Sequence, residues 1–282
     1  MDEKDLGKRL QTARQAAGLT QQKLCQQANL SFSTLTKIER GAIKSPSIFT
    51  IQSIATALGV GLDELVGQAS HANNRRRLSK TKTGVSFVYF DVNGCLVNSP
   101  QRAMARLSQA TGAPSDIVEM AFWHYNDDVC RGTMSMSDFN DKLAKRLEVN
   151  EVKWQDYYLE MVEPIEQMQA LLKWAADNYK VGLMTNIMPG LLSSLRRGGQ
   201  VPDLTYDAVI DSSEMATIKP EVKMYETAQE RAACPPSEIL LIDDSKVNLM
   251  AAEKLGWHVL WFDEVHPEES VERVRAALEP AA

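Results

Sequence analysis

The chain has 282 residues, 44% hydrophobic and 24% charged, which allows two buried cores and excludes a disordered or fibrous composition. Its apolar runs are short and it opens on MDEKDLGKRL, so neither a membrane span nor a signal peptide is expected, and a cytoplasmic location is. The formal net charge of −6 conceals a split: residues 1–84 hold 13 Lys and Arg against 6 Asp and Glu, whereas residues 85–282 hold 18 against 31.

A basic front end suits a polyanion such as DNA, and an acidic back end suits a divalent cation. Cys25, Cys95, Cys130 and Cys234 have neither metal-ligand nor redox spacing, so free thiols are expected.

Taken in chain order, Leu6, Leu10 and Ala13 recur at helical spacing before Gly18. Thr20 and Ser31 are placed to cap a second helix through Ala28 and a third that ends at Gly41. A fourth helix starts at Ser47 and carries Ile51, Ile54, Ala55 and Leu58; a turn at 62–66 closes the unit. The short turn at Asn29 and Leu30 gives helices two and three the geometry of a helix-turn-helix. Phe32, Ser33, Thr34, Thr36 and Lys37 then face outward, and hydroxyls followed by a cation suit base edges and phosphates in a major groove.

Residues 10–66, from LQTARQAAGLTQQ to GVGLDELV, resemble the Cro/lambda-repressor family along their whole length. The resemblance implies a double-stranded DNA partner. DNA contacts fall on Gln21, Gln22, Phe32, Ser33, Thr34, Lys37, Lys44 and Ser45, and Arg14 and Glu39 form a brace between helices. Phe32 departs from the polar readers of many relatives; it either touches a thymine methyl or packs.

Residues 68–84 lack apolar periodicity and read as a basic linker between a domain at 1–67 and one at 85–282. Arg75, Arg76 and Arg77 are either a solvated stretch or an arm that adds phosphate affinity. From Val85 the runs VSFVYF, YKVGLMT, YDAVI, EILLID and WHVLWF alternate with helical segments. Such continuous runs are buried on both faces, which predicts a doubly wound parallel α/β sheet. Residues from about 100 to 165 read as a helical insertion, a cap over the strand ends.

The chemistry-bearing groups fall at those ends: Asp91 after the first strand, Thr185 and Asn186 after the second, Lys219 before a helix, Asp243 and Asp244 after the fourth. Ligands bind at such edges of a doubly wound sheet. The order and the strings FDVNGCLVNS, LMTNIMPG, TIKPEVKMYETA and LLIDDSKVNLM resemble the haloacid dehalogenase-like superfamily, a Rossmannoid fold, in its capped phosphatase branch.

The resemblance makes Asp91 the nucleophile that becomes an aspartyl-phosphate. Thr185, Asn186 and Lys219 become phosphate holders. A Mg²⁺ site is implied at Asp91, the Asn93 backbone carbonyl, Asp243 and Asp244.

The departure is Asn93, where phosphatases of the family carry an acid/base Asp. An amide donates and accepts hydrogen bonds but shuttles no proton at neutral pH. Loss of a positioned acid/base costs about 10²–10⁴ in rate. A natural departure, an introduced replacement and deamidation at Asn93-Gly94 are all compatible with it; Cys95, where the family has Thr, departs as well.

Two functions are therefore expected to compete. The first is a DNA-binding transcriptional regulator, a homodimer on a palindromic operator, whose degenerate phosphatase domain dimerises or senses a phosphorylated small molecule. The second is a Mg²⁺-dependent phosphohydrolase with an accessory DNA-binding domain. Trp123, His124, Tyr125, Asp127 and Arg131 are the cap residues placed to select a ligand.

Overall fold

The computed structural model describes residues 4–17, 19–43, 46–58 and 80–279. The chain divides into two compact units, 1–75 and 76–282. The expected turn at 62–66, most of the 68–84 linker with Arg75 to Arg77, and Lys44 and Ser45 lie outside the described residues.

Among the described residues of the first unit, four helices, α1 (Lys4–Ala16), α2 (Gln21–Gln27), α3 (Phe32–Glu39) and α4 (Ile48–Leu58), enclose one core. Leu10, Leu24, Leu35, Ile38, Ile51 and Ile54 form it, at the periodic positions of the sequence. Thr20 and Ser31 cap as expected, accepting from the amides of Lys23 at 3.2 Å and Thr34 at 3.1 Å. Each such cap stabilises a helix by about 1 kcal/mol.

Gly7 explains how closely α1 crosses α3. A Cβ there would stand 2.4 Å from the Ile38 carbonyl oxygen and 2.7 Å from that of Glu39. Arg14 locks the same crossing: its Nε donates to Glu39 Oε1 at 2.7 Å, and its Nη1 to the Leu19 carbonyl at 2.9 Å.

The second unit is a five-stranded sheet, β1 (Phe87–Phe90), β2 (Lys180–Thr185), β3 (Ala208–Asp211), β4 (Ile239–Asp243) and β5 (His258–Trp261), all pairs parallel, in the order β3-β2-β1-β4-β5. Alternation along β1 sends Val88 and Phe90 into one core and Phe87 and Tyr89 into another, so the sheet is covered on both faces. This is the doubly wound arrangement that the unbroken apolar runs predict.

Between β1 and β2 lie α5 (Gln101–Thr111), α6 (Ser115–Cys130), α7 (Met136–Arg146), α8 (Trp154–Met161) and α9 (Glu166–Asn178). The first four are the helical insertion. Their packing centres on Phe122, Phe139, Trp154 and Tyr158, continuous with the first sheet core. Short helices α10 (Leu191–Arg197) and α11 (Ser212–Met215) follow β2 and β3, and α12 (Val222–Ala232), α13 (Lys246–Lys254) and α14 (Pro267–Ala277) complete the unit.

The central position of β1 is what makes the site. It pairs with β2 on one side and β4 on the other, Phe90 lying level with both Leu183 and Ile242. The residues just beyond those pairs therefore emerge side by side at one edge.

Candidate functional site: a nucleic-acid face and a carboxylate crevice

In the first unit the outward face of α3 carries Phe32, which is half-exposed, with Ser33 and Lys37 exposed and Thr34 partly covered. The Thr34 hydroxyl lies 2.7 Å from Ser31 Oγ and shares the cap, and Thr36 Oγ1 donates back to the Phe32 carbonyl. Ser33 Oγ also lies 3.2 Å from Ser31 Oγ, whereas the Lys37 ammonium makes no hydrogen bond or ion pair among the described residues. Gln21 is turned inward: its amide donates to Glu39 Oε2 at 2.6 Å, joining the Arg14 brace, while Gln22 is exposed.

In the second unit the strand ends bring Asp91, Thr185, Lys219 and Asp243 together. Lys219 is buried, with Nζ 2.9 Å from Asp91 Oδ2, 2.5 Å from Asp243 Oδ2 and donating to the Met184 carbonyl at 2.9 Å. Burial alone would lower its pKa, but Asp243 and Asp91 outweigh that and raise it. Lys219 therefore stays an ammonium. Two carboxylates buried around one cation leave no uncompensated positive charge.

Asp91 is pushed up to about 8, first by burial and against the pull of Lys219, with Asp243 and Asp244 adding repulsion. Its Oδ1 accepts from the amide of Val92 at 2.7 Å. Burial, then Asp243, likewise raises Asp244 to about 6. Carboxylates held up by one another's charge are what a cation relieves. One oxygen from each of Asp91, Asp243 and Asp244 lies within 4.8 Å of the others, an all-oxygen donor set of the hard kind that Mg²⁺ takes.

Asp243 is the most engaged of the three, since its Oδ1 also accepts from the amide of Ser245 at 2.8 Å and from Asn248 Nδ2 at 3.0 Å. Asp244 has room only because residue 94 is glycine. Gly94 has φ +77°, and a Cβ there would stand 2.4 Å from Asp244 Oδ2. Thr185 Oγ1 is buried with no hydrogen-bond partner, an orphaned polar atom of the kind a phosphate oxygen satisfies.

Asn186, expected among the phosphate holders, lines the crevice but exchanges two 2.8 Å bonds with the Lys219 main chain, Nδ2 to its carbonyl and Oδ1 from its amide. Its carboxamide positions Lys219. Asn93 stands in the crevice wall; the Tyr158 hydroxyl donates to its Oδ1 at 2.5 Å and its Nδ2 faces the Asn186 carbonyl at 3.5 Å. Burial, then Asp91, raises the Tyr158 pKa, so the phenol stays protonated. Cys95 is fully buried within the core, a packing position.

Above these groups is a cavity of about 290 Å³, walled on the cap side by Phe122, Trp123, Asn126, Asp127, Trp154 and Tyr158. Of the cap residues expected to select a ligand, Trp123 and Asp127 reach it. Arg131 is turned instead to Glu221 and Asp128, and Tyr125 packs on the core with Lys142 over its ring. His124 lies edge-on to Tyr125. The sequence singled out neither Tyr158 nor Trp154, which lie on α8 within the expected helical insertion.

Comparison with known proteins agrees with both units. A helix-turn-helix profile matches residues 10–65, and a haloacid dehalogenase-like hydrolase profile matches residues 88–262, more than half of the chain. The immunity repressor protein of Bacillus phage phi105 is 40% identical over 63 residues, 22% of this chain. Acyl-CoA dehydrogenase family member 10 of Mus musculus is 24% identical over 203 residues, 68% of this chain. The chain spans less than half the length of either relative, 43% and 19% respectively.

Among solved structures, a HAD family enzyme of Bacteroides thetaiotaomicron in complex with magnesium and inorganic phosphate aligns with TM-score 0.54 at 19% identity, covering 64% of this chain and 96% of its own. The L-2-haloacid dehalogenase of Xanthobacter autotrophicus with chloropropionic acid covalently bound aligns with TM-score 0.52 at 20% identity, covering 70% and 85%. At these identities the structures speak for the fold alone. Fold, strand-end residues and profile agree: behind a helix-turn-helix DNA-binding domain, the chain belongs to the haloacid dehalogenase-like hydrolase family.

Proposed function

We propose that the protein is a DNA-binding transcriptional regulator whose hydrolase-like unit binds a phosphorylated small molecule and turns it over slowly or not at all. The observation that carries this reading is Asn93. Around it the binding set of Asp91, Thr185, Lys219, Asp243 and Asp244 is complete, whereas the acid/base position holds an amide fixed by Tyr158.

Mg²⁺ would be held by the carboxylates of Asp91, Asp243 and Asp244 with the Asn93 main-chain carbonyl, and would supply neutralisation of phosphate charge. Lys219 supplies a fixed cation from beneath. Asp91 keeps its place as nucleophile, but no side chain at position 93 protonates a leaving oxygen or activates water, so a phosphoryl group arriving on Asp91 would leave slowly.

At the other end, α3 enters the major groove, with Ser33 and Thr34 at base edges, Phe32 against a thymine methyl, and Gln22, Lys37, Lys44 and Ser45 at phosphates. The 40% identity to a phage immunity repressor supports this assignment, and a homodimer on a palindromic operator is the arrangement that a helix-turn-helix favours. Ligand occupancy of the crevice would act by changing the spacing of the two recognition helices in that dimer.

The test is paired. Purified protein should bind a fragment from its own genomic neighbourhood at least tenfold more tightly than random DNA, and should show little phosphatase activity with Mg²⁺ that rises in Asn93→Asp. No preferred fragment would overturn the regulator. Rapid Mg²⁺-dependent turnover by the unaltered chain, abolished in Asp91→Ala, would establish the phosphohydrolase reading instead; release of halide from a 2-haloacid would replace both.

A further inference from the structure

The cavity over Asp91, about 290 Å³, has room for a phosphate and a small organic group together.

The charge of the wall is one-sided. Asp91, Asp127 and Asp244 line the cavity, and among its described lining residues there is no Lys, Arg or His. Asp91 and Asp244 belong to the phosphate end. Asp127 lies on the cap helix α6 and is exposed; its carboxylate accepts only a 3.3 Å bond from the neighbouring Asn126. The nearest cation in sequence, Arg131, is committed to Glu221 and Asp128. Asp127 therefore faces the cavity without a salt-bridge partner among the described residues.

Trp123 precedes Asp127 by one helical turn, so both project from one face of α6, and both line the cavity. The Trp123 side chain is half-exposed, and Phe122 meets it edge-to-face, 5.0 Å between centroids. Lysines and arginines lie over Tyr125, Trp174, Tyr206 and Trp261 elsewhere in this unit, but among the described residues none covers Trp123. An unpaired carboxylate beside an unoccupied indole is the chemistry that recognises an ammonium group. A second phosphate or a carboxylate at the same place would meet Asp127 with like charge.

We propose that the ligand is the phosphate monoester of a small amino alcohol, its ammonium held by Asp127 and Trp123 and its phosphate directed to Asp91. This rests on the reading of the crevice as a phosphate site and adds the class of molecule attached.

The experiment is titration calorimetry of the full chain with Mg²⁺ against inorganic phosphate, ethyl phosphate, 2-aminoethyl phosphate and carboxymethyl phosphate. We expect 2-aminoethyl phosphate to bind about tenfold more tightly than ethyl phosphate, with carboxymethyl phosphate weaker than either. Asp127→Asn should bring the ratio of 2-aminoethyl to ethyl phosphate close to one, and Trp123→Leu should narrow it; neither position is buried, so circular dichroism should match the parent. Equal or reversed affinities for the ammonium and carboxylate esters, or a ratio unmoved by Asp127→Asn, would overturn the assignment while leaving phosphate binding intact. If inorganic phosphate and ethyl phosphate fail to bind as well, the phosphate reading falls and this one with it.

Discussion

The Tyr158 hydroxyl, on the cap helix α8, donates to Asn93 Oδ1 at 2.5 Å in the loop after β1. A residue of the inserted helices thereby fixes the orientation of the Asn93 side chain. Because Tyr158 is held protonated, the amide oxygen is its acceptor and the amide nitrogen is left to Asn186 and the crevice.

On the proposed reading, replacing that amide by a carboxyl supplies an acid/base in a frame already built. Asn93→Asp should raise Mg²⁺-dependent hydrolysis of a generic phosphate ester by about 10²–10⁴, read as release of inorganic phosphate. The rise should vanish in Asn93→Asp with Asp91→Ala. A flat response would mean that the crevice lacks more than the acid/base.

Lys219 holds two buried carboxylates together. Lys219→Met leaves Asp91 and Asp243 without their cation and should destabilise the larger unit by about 3–5 kcal/mol in urea unfolding. A loss under 1 kcal/mol would show that the carboxyls shed their charge at little expense.

Gly94→Ala sets a methyl 2.4 Å from Asp244 Oδ2 at a backbone φ of +77°. Strain at such a residue costs about 1–2 kcal/mol, and the displaced carboxylate should weaken Mg²⁺ binding at least tenfold by calorimetry. Unchanged Mg²⁺ affinity would remove Asp244 from the metal site.

On the DNA-binding unit, Lys37→Ala should weaken binding to all sequences and lower the slope of log K against log salt by about 1 in fluorescence anisotropy. Ser33→Ala should instead relax preference at one base position. Glu39→Ala strips Arg14 and Gln21 of their shared acceptor and should cost about 3 kcal/mol of this unit's stability, with binding lost only through unfolding.

Asp211 supplies a pH dependence away from the crevice. Burial raises its carboxyl pKa, and bonds from the Ser213 amide and hydroxyl only partly oppose this. A carboxyl with a raised folded-state pKa stabilises the fold below its unfolded value, near 4, and loses that contribution as pH climbs through the folded value. Asp211→Asn keeps an acceptor for Ser213 and carries no charge. Its stability relative to the parent should therefore be greater at pH 7 than at pH 4, measured by thermal unfolding.

What the sequence determined by itself was whatever depends on neighbours along the chain. Thr20 and Ser31 are caps because a hydroxyl before a helix reaches an amide three residues on, and the five apolar runs are strands of a sheet covered on both faces, which buries β1 and β4 throughout and leaves the edge strand β5 partly open. The strand-end positions of Asp91, Thr185 and Asp243 followed from the same pattern.

Tertiary structure decided the pairings. Lys219 lies 128 positions after Asp91 yet touches it, Asn186 turns to the Lys219 main chain rather than to open space, and Gln21 turns to Glu39. Trp123 and Asp127 reach the cavity while Arg131 at the end of the same helix does not, because Glu221 and Asp128 draw its guanidinium away. Local patterns report periodicity and capping; which side chain meets which across a hundred residues depends on how strands align and where a cap helix lands, and that information resides in packing.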